Sequence, residues 1–236
     1  MRLVWLIALS FLRQQRTVII VMGVYTVTLT VALTALADAR HSAGDLIFPF
    51  RQLASYGVII PFLLAGQALY TERRTRRILA ILAKGVSRQQ YLTSAWLACV
   101  LIAAIQLSLL GVVIQAAAAI LGAKVEIWVS LLAALLAAGL AGAVALAFAC
   151  FVHPFVAVFL SGTVLAIPAG LGVVFGPNAQ LVLPVSYVIG KINSSDITGA
   201  WNGGWLVFLI AAAESAAILV LAGKLFKNVD VAEAIE

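Results

Sequence analysis

The chain has 236 residues, of which 64% are hydrophobic and only 10% are charged. Soluble proteins carry about 25% charged residues, so a water-soluble fold of this size could not hide so much apolar surface. The formal net charge of +6 would suggest nucleic acid in a soluble protein, whereas in a membrane protein the distribution of Lys and Arg reports topology. Composition therefore excludes a soluble domain and gives no support to a nucleic-acid partner.

The first seventeen residues do not resemble a cleavable signal peptide. Their apolar run is interrupted by Arg13 and Arg16, and the long apolar run that follows is typical of a true span. At helical spacing, Trp5, Leu9 and Leu12 lie on one face of this stretch.

Six later stretches are long and apolar enough to cross a bilayer, which needs about 20 residues of helix. The third exceeds one bilayer thickness, so we expect it to tilt or to protrude. The predicted spans are Val18–Ala37, Leu53–Tyr70, Tyr91–Gly122, Ile127–Phe151, Phe155–Phe175 and Trp205–Phe226. The fold class is thus an all-α integral membrane protein, and residues 1–236 form a single transmembrane domain without internal repeats.

The Lys and Arg residues are distributed unequally between the two sides that these spans define. If the N-terminus is cytoplasmic, the inner side holds Arg2, Arg13, Arg16, Arg73, Arg74, Arg76, Arg77, Lys84, Arg88, Lys224 and Lys227, and the outer side Arg40, Arg51, Lys124 and Lys191. The positive-inside rule then predicts that both termini are cytoplasmic. We expect a multi-pass protein of the cytoplasmic (inner) membrane.

Much of the inner charge lies between spans two and three. The periodicity of Thr71–Lys84 predicts a helix on which Arg73, Arg77 and Lys84 fall within about 40° of one another, with Ile78, Leu79 and Leu82 opposite. Gly85 is a natural C-cap residue, and Ser87 with Gln90 matches a capping box. Two interpretations remain open: a helix that orients the chain and rests on lipid, or a docking element for a cytoplasmic partner.

This segment resembles the permeases of the ABC-2 family of ABC transporters. The resemblance lies in Glu72-Arg73 and in the stretch from Ile78 to Arg88, which ends in a Gly-containing corner and Ser-Arg. It implies a coupling helix over residues 71–84 that sits in a groove of an ATPase subunit. The residues it assigns to ATPase coupling are Glu72, Arg73, Arg76, Arg77, Ile78, Leu82, Lys84, Gly85, Ser87 and Arg88.

This chain departs from the family pattern at some positions. The resemblance also extends to other parts of the chain. The family often has Pro at Gly85, and Gly-Lys where Thr93-Ser94 stand here. The resemblance implies that residues 1–17 form an interfacial helix, and that residues 176–204, which contain Leu183–Tyr187, form short extracellular half-helices between spans five and six. Within the family, the Ala-Lys-x-Val-Ser-Arg stretch is similar to permeases of copper-site maturation systems, and a haem-exporter-like permease is the alternative.

The function that the resemblance implies is the permease subunit of an ABC exporter. Two permease copies, a homodimer, would work with two copies of an ATPase subunit that binds ATP and Mg. The chain itself has no Gly-x-x-x-x-Gly-Lys-Ser/Thr phosphate loop, so we expect no enzymatic activity and no cofactor in it. The alternatives are a non-transporting six-span protein that binds partners or lipids through its basic helix, and a secondary transporter, which would show repeats or broken helices.

A few polar residues lie within the predicted spans. Glu214 is near the middle of the last span, where an ionised carboxylate costs about 2.5–3.5 kcal/mol on insertion scales. It is either a contact on the translocation path, a role for which Gln67 is also a candidate, or a neutral hydrogen-bonding group that joins helices. We expect Gln67, Gln106 and Gln115 to make interhelical hydrogen bonds. His153 and Ser161 lack an oxyanion motif and do not support a protease.

Overall fold

The computed structural model describes residues 2–36, 43–74, 77–83, 85–194, 196–199 and 201–226. Over these residues the chain is helical and contains no strand. Its helices are α1 (Arg2–Gln14), α2 (Arg16–Leu36), α3 (Ile47–Arg74), α4 (Arg77–Leu82), α5 (Arg88–Ile120), α6 (Trp128–Ala149), α7 (Pro154–Phe175), α8 (Val185–Ser194) and α9 (Leu206–Phe226), with 3-10 turns at Ala43–Leu46 and Pro177–Leu181.

Six of these helices, α2, α3, α5, α6, α7 and α9, have the length and hydropathy of membrane spans. The predicted number and order of spans are therefore confirmed, and the chain is a multi-pass membrane protein by length and composition. The largest difference concerns α3, which is longer at both ends than the predicted Leu53–Tyr70. Its first turns contain Arg51 and Gln52, which break the apolar run in the sequence but do not interrupt the helix.

The centre of the bundle is α6, which packs against α3, α5, α7 and α9. In the apolar stretch of α6, 72% of the residues are buried, against 17% in the apolar stretches of α2 and α7. Much of its surface is Ala and Gly, including Ala137, Ala141 and Ala145, which are all buried. Small residues let neighbouring helices approach closely where lipid offers no hydrophobic driving force between helices. The spans with the least buried surface therefore lie at the periphery.

Polar and small residues fix individual helix pairs. Gln106 donates from Nε2 to Thr26 Oγ1 at 2.5 Å, and Thr26 donates in turn to Met22 O at 2.8 Å. This bond joins α5 to α2 and confirms the interhelical role predicted for Gln106. The side chain of Gln115 is instead exposed, and among the described residues no interhelical hydrogen bond is observed for it.

Each end of the bundle is held by its own contacts. At the end that contains α1, the ring of Phe11 lies 5.8 Å from that of Tyr91, and Tyr70 lies 5.2 Å from His153. At the opposite end, the N–H of Glu126 donates to Ile197 O at 2.8 Å and joins two interhelical connections. His153 caps α7 by accepting from the N–H of Phe155.

We predict that the α3–α7 contact at Gly66 tolerates no added methyl group. A Cβ at Gly66 would lie 2.5 Å from Cγ2 of Val158, a β-branched side chain with little rotamer freedom. Gly66→Ala should destabilise the protein by about 1–3 kcal/mol through overpacking. Thermal unfolding in detergent measures this effect as a lower Tm.

The matched control is Gly170→Ala in α7, because no atom lies within 4 Å of a Cβ at that position. Alanine is the better helix former by about 1 kcal/mol, so this variant should keep or slightly raise the Tm. Equal losses in the two variants would contradict close packing at Gly66.

Candidate coupling surface and intramembrane carboxylate

The described parts of the predicted coupling segment are helical. Thr71–Arg74 are the last turn of α3 and Arg77–Leu82 form α4, while positions 75, 76 and 84 lie outside the described residues, so one helix over Thr71–Lys84 stays a prediction. Thr71 donates from Oγ1 to Gln67 O at 3.2 Å, as a residue inside a continuing helix does. Since no Gly or Pro follows Tyr70 until Gly85, α3 continues past the apolar run to Arg74.

The corner after α4 is built as the sequence predicted. Gly85 has a φ of +79°, a left-handed conformation that favours glycine, and its N–H donates to Leu82 O at 3.1 Å. The hydroxyl of Ser87 accepts from the N–H of Gln90 at 3.2 Å, and Gln90 Oε1 accepts from the N–H of Ser87 at 3.1 Å. This capping box starts α5 immediately after the turn and is confirmed.

Buried apolar contacts fasten α4 to the bundle. Ile78 is fully buried in a cluster that includes Ile7 and Phe11 of α1, Val86 and Tyr91. Ile78 is therefore an internal anchor of α4, and its predicted role in ATPase coupling stays a prediction. Leu82 is half-buried and packs at the edge of the same cluster.

The charged residues of the segment differ in their surroundings. Glu72 is buried, with 2% of its surface exposed, whereas Arg74 is exposed. Ser87 and Gly85 are exposed at the corner. Arg73 and Arg77 lie in α3 and α4, and their side chains are outside the described part; Arg76 and Lys84 lie outside the described residues. The predicted basic stripe therefore stays a prediction.

Arg88 is occupied within the chain. Its Nη1 donates to Phe226 O at 2.5 Å, and its guanidinium lies 5.4 Å from the centre of the Phe226 ring. A cation here also suits the C-terminal end of α9, whose last carbonyl groups carry partial negative charge. Arg88 thus joins the start of α5 to the end of α9.

An apolar groove opens beside α4. It has a volume of about 370 Å³ and is lined by Leu3, Leu6, Ile7, Ser10, Ala80, Ile81 and Val86. Leu3 and Leu6 of α1 are 44% and 55% exposed. The α1 and α4 helices therefore present a joint apolar surface at the end of the bundle that carries most of the predicted inner charge.

Glu214 lies within α9, about 12 Å along the helix from Leu206. Its two carboxylate oxygens accept the backbone N–H of Leu183, at 3.3 and 3.1 Å. Leu183 has a φ of +52°, a conformation that costs a non-glycine residue roughly 1–3 kcal/mol. The chain therefore adopts an unfavourable conformation at the residue whose N–H meets this carboxylate.

The segment that carries Leu183 runs back along the bundle. After α7 the chain turns at Gly176, which has a φ of +90°. A Cβ at Gly172 would collide with the side chain of Gln180, so the 3-10 turn Pro177–Leu181 lies against the last turns of α7. Helices are thus found where half-helices were predicted between spans five and six, and the segment reaches the depth of Glu214.

These contacts favour the second hypothesis for Glu214, that of a hydrogen-bonding group that joins elements of the bundle. Its partner is a backbone group of the returning segment rather than a side chain of a neighbouring span. Gln67, the other candidate for a translocation path, is exposed on α3. Gln67 lies on α3 and Glu214 on α9, and both helices pack against α6.

We predict that the carboxylate of Glu214 holds the returning segment in place. Glu214→Leu removes the acceptor and leaves the Leu183 N–H without it, which should cost about 1–3 kcal/mol. Glu214→Gln keeps one acceptor oxygen and should lose less. Hydrogen–deuterium exchange of the Leu183 amide should accelerate strongly in Glu214→Leu.

Ser215→Ala provides the control, because the Ser215 hydroxyl donates within its own helix to Ala211 O. Unchanged exchange at Leu183 in Glu214→Leu would show that the carboxylate does not hold this segment.

No protein-family model matches the chain, and no curated protein sequence is significantly similar to it. The conclusions that follow about its function therefore rest on its own residues, on the geometry above and on the short motif around α4.

Proposed function

We propose that the chain is the permease subunit of an ABC exporter of the ABC-2 type, driven by a separate ATPase subunit. The observation that carries the proposal is the corner between α3 and α5. There α4, a short helix, is fixed to the bundle by buried Ile78 and is followed by the Gly85 turn and the capped start of α5. A lever that passes motion from a partner to the spans needs such a firm attachment.

The contacts beyond the corner support a path for that motion. The capping box makes α5, of 33 residues, begin at the turn, and Arg88 ties its first residue to the last residue of α9. Displacement of α4 would therefore reach two spans through directly bonded or packed groups, as mechanical coupling requires. In this proposal the coupling surface is formed by exposed and charged residues around α4, with Ile78 and Glu72 as its buried support.

The charge distribution supports the proposed orientation. Arg13, Arg16, Arg74 and Lys224 lie at the α1 end of the bundle, with Arg51, Lys124 and Lys191 at the other end of the described chain. The positive-inside rule then gives a cytoplasmic α1 end and places the coupling corner where an ATPase could reach it. ATP and Mg would bind that partner, because this sequence has no phosphate loop.

The proposed assembly contains two permease copies. In the apolar stretches of α2 and α7, only 17% of the residues are buried within one chain. Their outward faces include Val24 and Phe159, which are 61% and 67% exposed. We infer that these two spans face a second copy and that the translocation path lies between the copies.

One observation favours the alternative, a non-transporting protein that binds lipid or a partner through the same end. Trp5, Leu3 and Leu6 of α1 are all substantially exposed, as expected for an amphipathic helix lying on a membrane surface. The two functions differ in whether an ATPase binds at α4, which the next experiment decides.

Reversal of the basic charge around α4 should release the ATPase while leaving the bundle folded. We predict that Arg73→Glu, Arg77→Glu and Lys84→Glu together lower the ATPase activity recovered with the tagged chain from its native membrane by at least about tenfold, because opposed charges at an interface cost several kcal/mol. The control reverses the charges of Lys124 and Lys191 by substitution with Glu, because both residues are at the opposite end of the bundle. Full recovery in the triple variant would refute docking at this surface.

Cysteine labelling tests the orientation independently of the partner. Arg74 and Lys124 are exposed at opposite ends, and the native Cys99 and Cys150 are buried and should react little. We predict that a membrane-impermeant maleimide labels Lys124→Cys in intact cells, and labels Arg74→Cys only after the membrane is opened. The reverse pattern would place α4 outside the cell and away from any ATPase.

A further inference from the structure

Three of the five tryptophans of the chain line one hollow at the end of the bundle opposite α1. The hollow has a volume of about 440 Å³ and is formed by the start of α6 and the connection before α9. Its lining residues are Val125, Glu126, Trp128, Val129, Trp201 and Trp205. Its size falls within the range of small-molecule sites, roughly 300–1,000 Å³.

The indole rings pack against neighbouring residues. A Cβ at Gly111 of α5 would lie 2.6 Å from the Trp128 ring, and one at Gly203 would overlap the ring of Trp201. The rings of Trp201 and Trp205 both pack against Phe208, at 6.2 and 5.2 Å between centres. Trp128 and Trp205 nevertheless remain 51% and 69% exposed, so aromatic surface is kept open to a ligand.

Glu126 supplies a carboxylate at the rim of the hollow. Its backbone N–H donates to Ile197 O at 2.8 Å. The neighbouring turn is closed by Asp196, whose Oδ1 accepts the N–H of Thr198 at 3.1 Å, and this bond is the main cause that lowers the pKa of Asp196. The Glu126 side chain is exposed, so its charge faces the space beside the indoles rather than the core.

Indole faces together with a carboxylate form the chemistry that binds organic ammonium cations. An anion would be repelled by Glu126, and a purely apolar ligand would gain nothing from it. Lys124, two residues before Glu126 in the chain, is exposed and does not line the hollow. Its charge lies outside the hollow, where it suits a phosphate attached to an ammonium group that is bound inside.

The place of the hollow decides between a soluble cation and a lipid. Trp128 begins α6, and Trp205 directly precedes α9, so both rings lie at the ends of membrane spans, where lipid headgroups are found. We propose that this hollow binds the zwitterionic, ammonium-bearing headgroup of a membrane phospholipid. The proposal goes beyond the permease function and does not depend on it. An interfacial tryptophan belt alone would require neither a shared hollow nor the carboxylate.

The test uses the full chain in detergent, titrated with short-chain phosphatidylcholine and, separately, phosphatidylglycerol. Tryptophan fluorescence and native mass spectrometry report binding. We expect saturable binding of one phosphatidylcholine per chain, with phosphatidylglycerol at least tenfold weaker. Glu126→Gln and Trp128→Leu should each lower the affinity about threefold to thirtyfold, the range of a cation–π contact. Trp5→Leu, at the other end of the bundle, should leave it unchanged.

Several results would overturn the proposal. Equal affinities for the two lipids, or an unaltered affinity in Glu126→Gln, would show that lipid packs against these tryptophans without recognition of its ammonium group. Competition by tetramethylammonium at the affinity of the lipid itself would identify a soluble cation as the ligand instead. Glu126→Gln keeps the comparison valid even if Trp128→Leu disturbs packing at Gly111, because the Glu126 side chain is exposed and the exchange is isosteric.

Discussion

The structure depends on one constraint: backbone polar groups within a bilayer must find partners inside the protein, because lipid offers none. The six spans meet it through their own helical hydrogen bonds. Two of the places where the described chain leaves this pattern meet the constraint with side chains. Ser87 and Gln90 close the start of α5, and Glu214 accepts the N–H of Leu183 where the returning segment reaches into the bundle.

The same constraint gives the two ends of the bundle different characters. At the α1 end, helices and caps leave a stiff corner fixed by Ile78 and joined by Arg88 to the end of α9. At the other end, connections are longer and expose aromatic rings and charges, such as Trp205 and Glu126. A firm end suits the transfer of force from a partner, and an open end suits recognition of a ligand.

Much of the architecture could be predicted because hydropathy and helix caps are local signals. The spans and the capping box at Ser87 were found in this way. The burial of Ile78 could not be predicted, because helical periodicity identifies an apolar face but not the element that covers it. The bond between Glu214 and Leu183 joins residues 31 positions apart, and no pattern in the sequence marks a backbone donor with a left-handed conformation. The bounds of α3 were missed because polar Arg51 and Gln52 lie inside its helix.

The internal contacts of the corner also reduce the number of residues that are available to bind a partner. Arg88 has its guanidinium on the carbonyl and ring of Phe226, and binding elsewhere would break a partly buried charge-assisted bond, which is worth roughly 1.5–3 kcal/mol. Ile78 and Glu72 are covered by the bundle. In the proposed function, recognition by an ATPase would therefore depend on the remaining charged positions and on the apolar groove between α1 and α4. A docking surface made of two helices would detect their relative position, and under that proposal α1 would take part in coupling as well as anchoring the chain at the membrane.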